Sequence, residues 1–172
     1  TIVLALSVSR MVKVGTIVRR LPSVETLGAV NTVCSDKTGT LTKNRMTVKE
    51  CYVDGHLVDA GELDQEKSSL FLEGCILCND ASIGENRIGD PTELALLDLG
   101  LKHGIGKREL ERRFPRIDER AFDSDRKRMT TVHKGGGGKI SYIKGAADEM
   151  FELCSGVWMN GREMPFSQKA KE

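Results

Sequence analysis

Aromatic residues are scarce, with one Trp, two Tyr and five Phe in 172 residues. A surplus of charge is missing as well, because 26 Lys and Arg nearly cancel 25 Asp and Glu to a formal net of +1. Gripping a nucleic acid takes clustered positive charge and flat rings for stacking, so no nucleic-acid partner is expected. Long hydrophobic runs are also absent. The apolar opening "TIVLALSVS" stops at Arg10, whereas a bilayer-spanning helix needs roughly 20 apolar residues. It lacks the basic flank and small-residue cleavage site of a signal peptide. Two readings fit it: an ordinary amphipathic helix, or the cytoplasmic tail of a transmembrane helix that starts before residue 1.

The five cysteines have no second closely spaced pair. Cys75 and Cys78 share an apolar helical stretch, "FLEGCILCND", and read as core thiols, since a zinc half-site needs two further ligands. At this length the chain can hold one to two domains with a proper core.

Along the chain, "RMVKVGTIVRRLP" ends at Pro22, and a connector "SVETLGAV" leads to a β-branched run. That run, Val30 to Ser35, predicts a buried strand. The runs flanking Asp54-Gly55 predict a β-hairpin. Helical periodicity covers 66–79, 91–101 and about 106–113. In the second of these helices Asp90 fits the N-cap, Pro91 the first position and Glu93 the third, as in a capping box, and Gly100 fits its end. Strands then run through "RIDERAFDSDRKRMTTVHK" and "KISYIK", joined by Gly135 to Gly138. No Lys-Ser or Lys-Thr follows those glycines, so they read as a loose hairpin tip and not a phosphate cradle. A helix at about 147–154 and a weak hairpin, "VWMNGREMPF", precede the polar end "SQKAKE", which reads as a cut.

The chemistry concentrates in "VCSDKTGTLT", residues 33–42. Polar residues at the end of a strand in an open α/β sheet sit where such sheets keep their reactive groups. The carboxylate of Asp36 can attack a γ-phosphoryl group and hold it as an acyl phosphate. Such a site needs a cation, Mg²⁺, and donors for the phosphoryl oxygens. Lys37 supplies the charge, Thr38 a hydroxyl and a carbonyl, Gly39 close backbone approach and Thr40 a further hydroxyl. A soluble phosphatase of the haloacid dehalogenase type would carry a second Asp two residues on. Thr38 stands there instead, so the phospho-aspartate would lack a built-in base and persist.

"DKTGTLT" resembles the phosphorylation signature of P-type ATPases, and "IVRRLPSVETLGAVNTVCSDKTGTLTKNRMTV" looks like the segment that joins the fourth transmembrane helix to the phosphorylation domain of calcium-type pumps. The resemblance implies Asp36, Lys37 and Thr38 as catalytic residues, with Mg²⁺ on Asp36 and Thr38. It also implies a nucleotide site further along. Phe122 in "AFDSDRKRM" matches the aromatic on which adenine stacks. Glu93 in "GDPTE" matches the acid that accepts from the adenine amino group. Lys144 and Gly145 in "IKGA" match the pocket lysine and the glycine beside the base, Lys127 a basic residue near the phosphates, and Met129 an apolar residue near the base. Ser124 departs from the pattern, since calcium pumps commonly carry Arg at that place, and Arg126 or Arg128 is the available substitute.

By that resemblance the fold class is α/β: the first strand segment of a Rossmann-like phosphorylation domain, then an α+β nucleotide-binding domain with an antiparallel sheet and flanking helices. Expected extents are 1–14 for the end of a transmembrane helix and stalk, 15–44 for the phosphorylation-domain part and 45–172 for a C-terminally truncated nucleotide domain. The implied cofactors are ATP and Mg²⁺. The implied partners are a transported cation, with calcium leading, and the remainder of the same polypeptide. The implied location is the cytoplasmic side of an integral membrane protein. No Gly-Asp-Gly-x-Asn-Asp segment and no Thr-Gly-Glu-Ser loop is present, so this stretch is expected to bind ATP and turn over little. A soluble phosphatase and a non-catalytic interaction module are the alternatives. A free sheet edge left by the cut suggests an edge-paired dimer.

Overall fold

The computed structural model describes residues 2–166 and divides the chain into two compact units, Thr1–Lys43 and Asn44–Glu172. The "SQKAKE" end lies outside the described residues. The first unit holds helix α1 (Ile2–Lys13) and helix α2 (Pro22–Gly28). The stretch read as a connector is therefore helical, with Pro22 supplying the fixed φ that suits a first helical position. No helix among the described residues is long and apolar enough to cross a membrane.

Val30 to Ser35 does not form the expected strand. It carries no ladder, and Val33 is 83 % exposed. A parallel strand is stable only between neighbours that satisfy its N–H and C=O groups and cover its faces. Among the described residues no strand pairs with this run.

The second unit begins with the hairpin of β1 (Glu50–Val53) and β2 (His56–Asp59). Its turn has positive φ at both Asp54 and Gly55, the conformation that the Asp-Gly pair favours. Helix α3 (Ser69–Leu77) follows, then a two-residue hairpin of β3 (Ser82–Ile83) and β4 (Arg87–Ile88) that the sequence reading missed. Helix α4 (Pro91–Lys102) and helix α5 (Lys107–Arg113) lead to an antiparallel sheet of β5 (Arg116–Asp123), β6 (Arg128–Gly135) and β7 (Gly138–Gly145). Helix α6 (Ala147–Leu153) and a hairpin of β8 (Gly156–Met159) and β9 (Arg162–Pro165) complete the described chain.

Helix α4 starts as its sequence suggests, with Asp90 Oδ1 accepting from the Thr92 amide at 2.8 Å. It does not end at Gly100. It runs through that glycine, and Gly104, at φ +74°, turns the chain so that Ile105 N donates to Gly100 O at 2.9 Å. Gly100 serves packing instead: a Cβ there would stand 2.9 Å from Ile76 Cγ1.

One face of the three-stranded sheet carries the buried Met129, Thr131, His133 and Tyr142. Helix α3 packs on β7, and α4 and α5 pack on α3. Ile76 and Leu77 join Leu97, Leu110, Met129 and Tyr142 in one core cluster, while Leu72 and Leu99 join Cys51, Ala60 and Leu63 in a second. Helices α3 and α4 thus tie the first hairpin to the sheet. The edge-paired dimer has no support in this fold. Strand β5, an edge, carries two register shifts, and such bulges blunt edge pairing.

Candidate functional site

Two register facts assemble the site in the second unit. On β6 and β7, Met129 is the cross-strand partner of Lys144. On β5 and β6 the pairing passes from Arg120 with Thr130 to Asp123 with Arg128, so Ala121 and Phe122 both oppose the single Met129. The bulge therefore puts Phe122, Met129 and Lys144 in one row across the sheet. Phe122 is 64 % exposed and Met129 is buried, so the ring stands open at the edge while the methionine, in the middle of the row, packs into the core.

Lys144 reaches from the end of that row to Glu93 in the first turn of α4, Nζ to Oε1 at 2.8 Å. The other carboxylate oxygen, Oε2, accepts from the Asp80 amide at 3.2 Å. Glu93 thus faces the sheet and does not close a capping box onto Asp90. Asn79, fully buried, fixes the backbone there. Its Nδ2 donates to Glu93 O at 2.9 Å and to Cys75 O at 3.2 Å, and its Oδ1 accepts from Ala81 N at 2.9 Å.

Gly145 is required by close approach. A Cβ on it would lie 2.7 Å from Lys127 O and 2.6 Å from Arg128 Cβ. Lys127 itself stands at φ +49° and pairs with Asp148 and Glu149 at the start of α6, at 3.5 and 3.3 Å. A hydrogen bond from its ammonium to Glu149, with the Asp148 carboxylate next to it, raises its pKa above the ordinary lysine value. Ser124 lies in a turn that Asp123 organises by accepting from the Asp125 and Arg126 amides at 2.9 and 3.0 Å. Arg126 bends back to donate to Ala121 O at 3.0 Å. Arg128 pairs with Gly145 in the ladder, and its Nη1 donates to Arg126 O at 3.3 Å.

Sequence reasoning missed the cations behind Asp80. Arg116 Nη2 donates to Asn79 O at 2.7 Å and Leu77 O at 3.2 Å, and its Nη1 to Asp80 Oδ1 at 2.7 Å and Glu119 Oε2 at 2.8 Å. Lys107 Nζ donates to Asn79 O and Ala81 O, both at 2.7 Å. Burial holds the Lys107 pKa below the ordinary lysine value. A polar Asn-Asp pair closing an otherwise apolar helix was the available signal, because buried polar groups there need partners.

In the first unit, Asp36 is extended and its Oδ1 accepts from Thr38 N at 3.2 Å. Thr38 at (−81°, 120°) and Gly39 at (76°, −8°) make a type II turn over 37–40, with glycine where φ must be positive. Thr42, not singled out from sequence, closes the loop. Its amide and its hydroxyl both donate to Lys37 O, at 3.1 and 3.2 Å, and its Oγ1 accepts from Gly39 N at 3.3 Å. Asp36, Lys37 and Thr38 are all exposed. The donors that Asp36 and Thr38 offer are hard oxygens. That fits Mg²⁺, which uses one or two carboxylates and fills its other positions with water and phosphate oxygens.

An antiparallel sheet backed by helices on one face makes this an α+β domain, with Phe122, Lys144 and Glu93 towards one end of the sheet. Residues 67–172 match the family described as P-type ATPase, cytoplasmic domain N. The chain is 46 % identical over 165 residues to calcium-transporting ATPase 1 of Bacillus cereus, covering 94 % of this chain and 19 % of that protein. It is 39 % identical to calcium-transporting ATPase 1 of Lactococcus lactis, over 100 % of this chain and 20 % of the relative. It is 37 % identical to human calcium-transporting ATPase type 2C member 1, over 100 % and 21 %. The chain belongs to the P-type ATPase family, and it spans about a fifth of the length of the curated relatives it matches.

Proposed function

We propose that this chain carries the ATP site and the phosphorylation site of a calcium-transporting P-type ATPase. Adenine stacks on Phe122 over the row that ends at Lys144, Glu93 accepts from its amino group, and Gly145 lets the base approach the backbone. The Asp36 carboxylate attacks the γ-phosphorus of ATP, the bond to the bridging oxygen breaks and ADP leaves, so that Asp36 carries an acyl phosphate, with Lys37 and Thr38 assisting. Residues 15–44 serve as the phosphorylation-domain part and 45–172 as the nucleotide domain. The remainder of the polypeptide, which holds the transported cation in the membrane, is the partner.

The observation that carries this reading is the row Phe122, Met129, Lys144 joined to Glu93 at 2.8 Å. An exposed ring on β5, with a lysine two strands away on β7 and its half-buried carboxylate partner, offers an apolar face and polar groups to one planar ligand. Lys127 is the weakest member, because its ammonium already has two carboxylate partners. Asp36 and Thr38 would hold Mg²⁺, which would supply charge neutralisation to the phosphoryl oxygens.

ATP titrated into the chain tests this, with amide shifts as readout and Phe122→Ala as control. Binding lost in the control is the expected result. No binding at millimolar ATP, or binding untouched by Phe122→Ala, overturns the nucleotide site.

A further inference from the structure

We propose that Arg116, with Lys107 beside it, is a positioning residue for adenine recognition, acting on Glu93 through the Asn79–Asp80 peptide. The proposal rests on the nucleotide reading above and extends it to residues on the far side of a peptide bond from the candidate site.

Both cations converge on one carbonyl. Arg116 Nη2 and Lys107 Nζ each donate to Asn79 O at 2.7 Å. The N–H of that same peptide unit, on Asp80, donates to Glu93 Oε2 at 3.2 Å. Positive charge on a peptide oxygen draws electron density from its nitrogen, so the N–H becomes a stronger donor, and hydrogen bonds in such a chain reinforce one another. Lys144 holds the other carboxylate oxygen. Glu93 is therefore gripped from two sides as an anion of fixed orientation. A carboxylate has about four acceptor sites, which leaves capacity for a further donor such as a 6-amino group.

Arg116 is well placed to hold this arrangement. Its guanidinium is anchored by Asp80 Oδ1 and Glu119 Oε2 at 2.7 and 2.8 Å, and its side chain is only 21 % exposed. Asn79 fixes the opposite side, since its side chain donates to the backbone of Glu93 itself. The loop between α3 and β3 thus sits between cations on its carbonyl side and Glu93 on its N–H side. A plain staple for the end of α3 would hold the fold without favouring any one base. A positioning role acts only through what Glu93 recognises.

The test uses the 172-residue chain and the variants Arg116→Met, Lys107→Met, Glu93→Gln and the double variant R116M/E93Q. Each is titrated with ATP and with purine riboside triphosphate, which lacks the 6-amino group. Hydrogen exchange at the Asp80 amide is followed without nucleotide. Arg116→Met is expected to weaken ATP roughly tenfold, the scale of one hydrogen bond to a charged group. It should leave purine riboside triphosphate unchanged, add nothing in the Glu93→Gln background and speed Asp80 exchange. Lys107→Met should act in the same direction and carries the comparison if Arg116→Met does not fold. Equal losses for both nucleotides, additivity with Glu93→Gln, or unchanged Asp80 exchange would overturn the positioning role while ATP binding stands. A wild-type chain that binds neither nucleotide overturns the nucleotide reading and this proposal together.

Discussion

Gly89 lies so close to Ala81 that no side chain fits between them: a Cβ on Gly89 would stand 2.7 Å from Ala81 Cα. The obstacle is backbone and cannot swing away, and Gly89 sits at φ +136°, where an L residue is strained in any case. Ala81 is fully buried in the core cluster and Gly89 immediately precedes the Asp90 cap, so the contact sets where α4 begins. Gly89→Ala should destabilise the domain by about 2–4 kcal/mol, from overpacking and backbone strain together. Thermal unfolding should show a Tm lower by roughly 5–10 °C. A fall of less than a degree would mean that β4 can shift without loss.

Asp90 offers a pH test of the same helix start. The Thr92 amide, followed by the Thr92 hydroxyl, donates to its carboxylate and holds its pKa below the ordinary value. A carboxyl whose folded pKa is depressed stabilises the fold above its unfolded pKa, about 3.9, and loses that stabilisation as pH falls through the folded value. Asp90→Ala should therefore cost about 1 kcal/mol at pH 7, the usual size of an N-cap. The gap between variant and wild type should shrink below pH 4, and urea titrations at pH 7 and pH 3 measure it. A gap that stays constant would place the stabilisation in the helix backbone and not in the charged cap.

What could be read from sequence was what short range dictates. Asp54-Gly55 announced its hairpin, and Asp90-Pro91 announced α4, because a positive-φ turn and a helix start are each encoded within a few residues. Phe122, Glu93 and Lys144 were named from motif resemblance, but that a bulge in β5 aligns Phe122 with Met129 and Lys144 needs the register of three strands. The hold of Arg116 on the Asn79 carbonyl links residues 37 apart in sequence, beyond any local pattern. Val30 to Ser35 misled because a β-branched run gives propensity, whereas a strand also needs a partner. Gly100 misled because glycine serves helix packing as readily as helix ending.

The thiols should divide two from three. Cys34 and Cys154 are exposed, Cys51 and Cys78 buried, and Cys75 half-buried. Burial pushes the Cys75 thiol up to about 12, with neighbouring thiols adding to it, and raises Cys51 and Cys78 as well. Because the thiolate is the reactive form, these three should be nearly inert at pH 8. An aromatic disulfide reagent should titrate two thiols quickly in the native chain and all five in guanidinium. A third fast thiol would show that the core opens on the timescale of labelling, at β1 if the thiol is Cys51 and at the end of α3 if it is Cys75 or Cys78.

The Lys144–Glu93 pair should couple in stability as well as in binding. Their side chains are 31 % and 16 % exposed, so solvent screens the pair only in part. Removing Lys144 leaves the Glu93 carboxylate with the Asp80 amide as its remaining side-chain partner among the described residues. Removing the charge of Glu93 leaves the Lys144 ammonium half-buried without its carboxylate. Each single change, Lys144→Met or Glu93→Gln, should cost about 1–2 kcal/mol, and the double variant should cost less than their sum by about 1 kcal/mol. Urea unfolding of the four proteins in 0.1 M salt measures this. The coupling should survive in 1 M salt, where a fully exposed pair would lose most of it. Strict additivity would mean that the 2.8 Å contact contributes nothing to stability. Glu93 would then be held by its peptide contacts alone, which leaves Lys144 available to a ligand without first breaking an ion pair.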